Sequence, residues 1–429
     1  MKVKLKTLNP TNLLAVQSNK ISVQIGANQQ EGAVMTQLLI SFLGKARKEE
    51  GQYRQANYQF ENNQTETARF FSEALTKVIT PKRLVMLGTS GSMWDVLCEN
   101  LGHDEQQFEL IEAVENNAVT QPLLDHFSDL FSEKLNVECV LKLIPYGDDV
   151  TQQVAILQKM AEDVKEGDSV ALDLTHGLRH LPMLGLLSAM YLKTARNVNI
   201  EGIYYGALER TNPETKLTPV MRLDGLLTMA DWISALDGFN KTGNIAPFSE
   251  LLQRDGMDKQ TAQCLEEAAF FENTLNIPNA RSPLKKFAEA TKEGLKGIGA
   301  LFQENLQKRI SWCKEDNLYL RQRENAYFYL NQGDYLRAAT LGYEAFITLQ
   351  MQQDKHASRL DRTNFEHRNE IKQKMERNQN AKMLNHLRNA VAHGTRSDIA
   401  DVQRALSSKE KLQTELERLF KTLLPKESK

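Results

Sequence analysis

Two rhythms of apolar and polar positions divide the chain. From about residue 37 to 210, short apolar runs alternate with amphipathic stretches. Leu38-Leu39-Ile40-Ser41-Phe42-Leu43 predicts the first strong strand, which stops at Gly44. A β-like stretch covers Tyr53 to Phe60, and Thr65-Glu66-Thr67 reads as the opening of a helix with Phe70, Phe71, Leu75 and Val78 at helical spacing. Further strands are predicted at Arg83 to Leu87, Glu138 to Ile144, Ser169 to Leu174 and Ile200 to Tyr205. Helices at about 120–135, 150–164 and 181–194 separate them, the last with Pro182 in its first turn. Apolar strands alternating with amphipathic helices imply a parallel sheet covered on both faces.

Beyond about 225 only the helical rhythm remains. It predicts helices over 226–236, 259–271, 283–307, 317–331, 335–352, 382–393 and 399–424. The polar stretch 353–380 reads as a loop or an exposed helix. The expected class is α/β plus all-α: a Rossmann-like parallel sheet over 37–225, a helical linker over 226–315 and a helical bundle over 316–429. Residues 1–36 are polar, rich in Asn and Gln and weakly periodic, so they are expected to stand outside any domain, with a native start near Met35.

A chain of 429 residues accommodates two or three domains with substantial cores. A net charge of −2 supplies no strong overall field, so any nucleic-acid site has to be a local patch. Cys98, Cys139, Cys264 and Cys313 form no CxxC pair, which disfavours zinc and disulfide frameworks and suits a reducing cytoplasm. No run of 18 apolar residues predicts a membrane span.

In open parallel sheets, ligands bind beyond the carboxyl ends of the strands. The unusual residues gather at that edge: Ser41 and Gly44, the run Gly88-Thr89-Ser90-Gly91-Ser92, the segment Asp173 to His180, and Tyr205-Gly206. Glycines admit close backbone approach, hydroxyls bond phosphate or ribose, and N–H groups at a helix start attract anions. The same run also fits a tight turn with Ser as N-cap. Asp173 is placed to order its loop by accepting backbone N–H groups, leaving Thr175, His176 and Arg179 for phosphate or base edges. A metal held by His176 and His180 is the alternative, opposed by Pro182 and the lack of a third ligand; no metal and no resident cofactor are expected.

In the helical half, Leu387-Arg388-Asn389-Ala390-Val391-Ala392-His393-Gly394 carries the chemistry. Five positions separate Arg388 and His393 by roughly 140° around a helix, whereas Asn389 and His393 share a face. Gly394 suits a helix end, leaving His393 in the last turn. RNA cleavage by 2′-OH attack needs proton transfer, for which His is suited, and stabilisation of developing phosphorane charge, for which Arg is suited. A surface Arg and a His stabilised by the helix dipole account for the same spacing. Glu344, in the helix beginning Tyr335-Leu336-Arg337-Ala338-Ala339, reads either as a partner of Arg388 or as an acid on an exposed face.

Taken together, Leu87-Gly88-Thr89-Ser90-Gly91-Ser92-Met93-Trp94-Asp95 and Asp173-Leu174-Thr175-His176-Gly177 resemble the DxTHG-motif family of CRISPR-associated proteins, which carry a CRISPR-associated Rossmann fold (CARF) sensor. Arg388 to His393 resembles the R-x(4–6)-H motif of HEPN ribonucleases. The resemblance spans about residues 37 to 425. It implies a cytoplasmic homodimer, or higher oligomer, of a type III CRISPR accessory ribonuclease. Cyclic oligoadenylate, with the tetra form favoured, would bind Ser41, Gly44, Gly88, Thr89, Ser90, Gly91, Ser92, Asp173, Thr175, His176, Gly177, Arg179 and Gly206. Arg388, Asn389 and His393 of paired chains would cut single-stranded RNA without metal. Two other readings are a non-catalytic nucleotide-sensing regulator with a partner- or DNA-binding helical half, and a dinucleotide-dependent oxidoreductase, which the missing GxGxxG disfavours.

Overall fold

The computed structural model describes residues 37–45, 48–49, 52–53, 55–102, 104–353, 365–375, 377–394 and 397–426. The leader expected over 1–36 lies outside them. The strands are β1 (Leu38–Leu43), β2 (Lys48–Glu49), β3 (Gln52–Tyr53), β4 (Ala56–Gln59), β5 (Thr65–Ala68), β6 (Arg83–Gly88), β7 (Glu138–Leu143), β8 (Ser169–Asp173), β9 (Asn199–Gly206) and β10 (Leu217–Arg222). The helices of this half are α1 (Phe71–Ile79), α2 (Trp94–Leu97), α3 (Asp104–Glu115), α4 (Gln121–Leu135), α5 (Val150–Ala161) and α6 (Leu181–Arg196).

Eight strands form one sheet in the order β5-β4-β10-β9-β8-β1-β6-β7. The segment β9-β8-β1-β6-β7 is wholly parallel. Its central strands β8, β1 and β6 read as near-continuous apolar runs because both faces are covered, whereas β7 and β9 on either side carry Lys142 and Glu201 among apolar residues. Leu38, Ile40 and Phe42 of β1 enter the core beneath α5 and α6, while Leu39 and Leu43 enter the opposite core with Phe71, Leu75 and Phe127. Burying each such side chain contributes about 1.5–3 kcal/mol.

The sheet edge departs from the sequence expectation. Thr65–Ala68 is not a helix start but a strand antiparallel to β4, and α1 begins only at Phe71. The β-branched Thr65 and Thr67 pair with Gln59 and Asn57, so a Thr-Glu-Thr run that resembles a helix start is drawn into the sheet. Strand β10, unpredicted because of Pro219 and its mixed polarity, pairs antiparallel with β9.

The second half is helical: α7 (Asp224–Thr242), α8 (Pro247–Arg254), α9 (Lys259–Asn273), α10 (Ile277–Ala290), α11 (Gln303–Ile310), α12 (Leu318–Gln332), α13 (Tyr335–Gln353), α14 (Phe365–Met375), α15 (Gln379–His393), α16 (Ala400–Ala405) and α17 (Lys409–Leu423). Two expected long helices are broken. Pro283 sits inside α10, which Asn276 caps, and Gly294 and Gly297 at positive φ separate it from α11. The 399–424 pattern breaks before Ser408, whose hydroxyl caps α17. One continuous core runs from Trp232 to Leu424, so the segments expected as linker and bundle share it.

Helix α7 joins the halves. Leu227 packs into the sheet's core, whereas Trp232 and Phe239 lie in the helical core. Between them Asp231 accepts Lys193 of α6 at 2.7 and 2.6 Å and Arg254 of α8 at 2.9 Å. The four cysteines are buried and free, and burial pushes the Cys98 and Cys139 thiols up to about 12. Among the described residues, no helix is long and apolar enough to cross a membrane.

Candidate functional site

After β1 the chain crosses to β4 and β5 at the far edge, returns through α1 on one face to β6 and β7, then enters β8 on the other side of β1 and leaves it through α6 on the opposite face. The loops after β1 and β8 therefore diverge at a topological switch point, where an open α/β sheet forms its crevice.

The parallel register places Ser41 opposite Asp173, and the Ser41 hydroxyl donates to the Asp173 carboxylate at 2.7 Å. The other carboxylate oxygen accepts the Thr175 N–H at 2.8 Å, the loop-ordering role expected of Asp173. The Thr175 hydroxyl oxygen accepts the Gly206 N–H at 2.8 Å, which ties β8 to the end of β9. Asp173 has no exposed surface, and burial raises its carboxyl pKa, opposed by His176 and by the donors from Thr175 and Ser41.

His176 is half-buried and accepts the Phe71 N–H on Nε2 at 3.2 Å. That amide is the first of α1, where no side chain of the helix's own caps it, so His176 serves as a tertiary cap. An accepting Nε2 is unprotonated, which places the ring proton on Nδ1. Burial lowers the imidazole's pKa, against the pull of Asp173. Gly177 adopts φ +107°, and a Cβ on Gly44 would lie 2.5 Å from the Gly177 nitrogen, so the loops after β1 and β8 interlock backbone to backbone.

The loop after β6 is equally self-contained. The Ser92 hydroxyl donates to the Leu43 carbonyl at 2.8 Å and accepts the Thr89 N–H at 2.9 Å. Trp94 Nε1 donates to the Thr89 carbonyl at 2.8 Å, over the face of Gly88. The expectation of free N–H groups at a helix start is not met. Helix α2 is only four residues long, and the N–H groups of Ser92, Met93 and Trp94 are spent on the carbonyls of Thr89, Gly44 and Ser92.

Of the expected binding residues, Ser41, Thr89, Ser92 and Asp173 are thus buried scaffold, and Gly88 and Gly206 lie against aromatic rings. The half-buried Gly44, Ser90, Thr175, His176 and Gly177 and the exposed Arg179 form the rim, and Gly91 is buried beneath it. The structure adds Tyr146 and Asn117. The Ser90 hydroxyl donates to the Tyr146 hydroxyl at 3.3 Å, which donates to Asn117 at 3.3 Å. The Ser90 hydrogen bond leads the causes that lower the Tyr146 pKa, with the charge of Lys45 adding to it. A Cβ on Gly91 would come within 2.2 Å of Asn117 and 2.8 Å of the Tyr146 hydroxyl, so a larger residue there displaces those two side chains. The Pro145-Tyr146-Gly147 strand end was the legible signal for Tyr146; Asn117 had none. His180 Nε2 lies 2.7 Å from the Tyr146 carbonyl, so the two histidines are committed to separate backbone groups.

In the helical half, Asn378 caps α15 by accepting the N–H groups of Asn380 and Ala381. Ala381, Leu384, Leu387 and Ala390 bury one face. The helix ends at His393, which is exposed, and Gly394 follows at φ +61° as expected for a stop. Arg388 is half-buried; it donates to Asn385 at 2.9 Å and to Asn389 at 2.6 Å, and lies 4.7 Å from the Tyr343 ring centroid. Asn389 therefore holds the arginine rather than orienting His393. Neither expectation for Glu344 holds, because Arg368 of α14 takes it at 2.9 and 2.7 Å.

Residues 38–209 match the family model described as the CARF domain of the CRISPR system endoribonuclease Csx1. The chain is also 25% identical over 256 residues to the CRISPR-associated protein MJ1674 of Methanocaldococcus jannaschii, covering 54% of this chain. It spans 40% of that relative's length. The two matches support a CRISPR-associated CARF protein, and the doubly wound sheet with its helical partner fits that assignment.

Proposed function

We propose that the protein is a cyclic-oligoadenylate-activated, metal-independent endoribonuclease that cuts single-stranded RNA in type III CRISPR defence. One observation carries this reading: a domain matching the Csx1 CARF sensor shares its chain with a bundle whose α15 ends in Arg388, Asn389 and an exposed His393. The activator sits on the rim of Ser90, Thr175, His176, Arg179, Tyr146 and Asn117. The helical half then acts as a HEPN nuclease.

The chemistry follows from the side chains. The substrate 2′-oxygen attacks its own phosphorus while the bond to the 5′-oxygen breaks. A proton leaves the 2′-hydroxyl and another reaches the departing oxygen, giving a 2′,3′-cyclic phosphate and a 5′-hydroxyl. His393 moves protons, and Arg388 faces the charge that grows on the phosphoryl oxygens. Each chain supplies one such pair, so a homodimer supplies two. The second copy would pair on the sensor through the exposed face of α6, where Met183, Leu187 and Tyr191 are 63%, 53% and 47% exposed at four-residue spacing. A two-fold axis across that face brings two identical rims around one symmetric ring. Helix α6 starts directly after the Asp173–His180 loop and ends on Asp231, a direct route from rim to bundle.

The test is cleavage of a fluorogenic single-stranded RNA with EDTA present, comparing cyclic tetra-adenylate, cyclic hexa-adenylate and no activator. Strong cleavage with the tetra form, unaffected by EDTA, is expected. A ligand that raises the melting temperature while neither ring elicits cleavage would leave a sensor without a nuclease and overturn the reading.

A further inference from the structure

Resting on the reading of Arg388 as the cation that meets the scissile phosphate, we propose that Asn385 and Tyr343 are positioning residues forming an uncharged cradle for its guanidinium. Three neutral groups hold this arginine. One guanidinium nitrogen donates to the amide oxygens of Asn385 and Asn389, at 2.9 and 2.6 Å. The aromatic face of Tyr343, brought by α13 where it packs on α15, lies 4.7 Å from the guanidinium carbon. Asn385 precedes Arg388 by three positions and so shares its helix face. Among the described residues no carboxylate pairs with Arg388. The acid beside Tyr343 in sequence, Glu344, is occupied through both oxygens by Arg368. Nε of Arg388 is buried without a hydrogen-bond partner among the described residues.

Amide oxygens and a ring face fix a guanidinium's direction without cancelling its charge. A carboxylate in the same place would fix it at least as well and would compete with the phosphate for it. Stability and catalysis therefore respond in opposite senses to one substitution. Asn385→Asp keeps size and acceptor, and strengthens the hydrogen bond, while neutralising the cation.

The experiment compares Asn385→Asp, Asn385→Ala, Tyr343→Phe, Tyr343→Leu and Arg388→Ala in the full chain, measuring melting temperature and kcat and KM of activated RNA cleavage. Asn385→Asp is expected to melt no lower than the unsubstituted protein yet lose about a hundredfold in kcat. Asn385→Ala loses about tenfold, with little change in KM. Tyr343→Phe keeps the ring and stays within about twofold, whereas Tyr343→Leu falls about tenfold at a retained melting transition. Asn385→Asp cleaving as fast as the unsubstituted protein overturns the cradle, as does Tyr343→Leu behaving like Tyr343→Phe. If the unsubstituted protein itself does not cleave, the nuclease reading falls and the cradle with it. If it cleaves, Arg388→Ala does not and Asn385→Asp does, only the cradle falls.

Discussion

The sensor rim and the end of α15 solve opposite problems. At the rim, Ser41, Asp173, Thr175 and Gly206 form one chain of hydrogen bonds, Thr89 and Ser92 another, and the loops after β1 and β8 touch backbone to backbone. Everything needed to shape one copy's rim comes from a single chain. At the helix end the reverse holds. His393 is exposed beside open space at Gly394, and Arg388 is held by neutral groups that leave its charge uncancelled. A binding surface gains from being finished before its ligand arrives. On the proposed function, a nuclease site whose second half comes from another copy has to stay unfinished until that copy is aligned, which is the condition for control by a distant ligand.

That contrast breaks most readily at the helix end. Arg388→Ala and His393→Ala should each lower activated RNA cleavage by about a thousandfold or more, while the thermal shift produced by cyclic tetra-adenylate stays at the unsubstituted value. Retained cleavage in both variants would move the chemistry elsewhere in the molecule. A glycine pair sharpens the comparison at a smaller scale. Gly44→Ala drives a Cβ to 2.5 Å from the Gly177 nitrogen, so urea unfolding should show a loss of about 3 kcal/mol together with weaker activator binding. Gly394→Ala meets no atom within 4 Å and pays only for its left-handed φ, about 1 kcal/mol. Equal costs at the two sites would contradict the closed-against-open contrast.

The smallest expected effect is a pH dependence at the rim. Burial holds the His176 imidazole below its ordinary range, so the unfolded chain takes up a proton before the folded one does. The resulting stability is complete above the unfolded value near about 6.5 and erodes as pH falls toward the folded one. His176→Gln keeps an acceptor for the Phe71 N–H and does not titrate. The gap in melting temperature between the two proteins should narrow by on the order of 1–2 °C between pH 7.5 and 5.5. A gap that widens toward acid would mean that the charged imidazole is the favoured form.

Much of this was open to a reader of the residues alone. The central parallel strands announce themselves because strands covered on both faces are apolar at nearly every position, as in Leu38 to Leu43, where Ser41 is the one hydroxyl. The glycine–hydroxyl run at 88–92, the Asp173–Gly177 segment and the Arg388–His393 spacing are local patterns, visible without coordinates. Edge strands were harder, because Thr65–Ala68 is half-exposed and carries the same Thr-Glu-Thr signal that opens helices. Composition could name the hydroxyls but not their direction: Ser41, Thr89 and Ser92 face inward and hold the loops, whereas Ser90 alone of the run joins Tyr146 and Asn117 at the rim.

What no local pattern contains is which distant side chains meet. Glu344 and Arg368 pair across 24 positions, Tyr343 comes under Arg388 only because α13 packs on α15, and His176 caps a helix that begins 105 residues earlier. Periodicity and residue type determine the elements and the chemistry they carry, because both act within a few residues of chain. The charge state of the arginine's surroundings and the orientation of each hydroxyl were decided by packing, since each depends on contacts whose partners lie far apart in sequence and become neighbours only when the cores close.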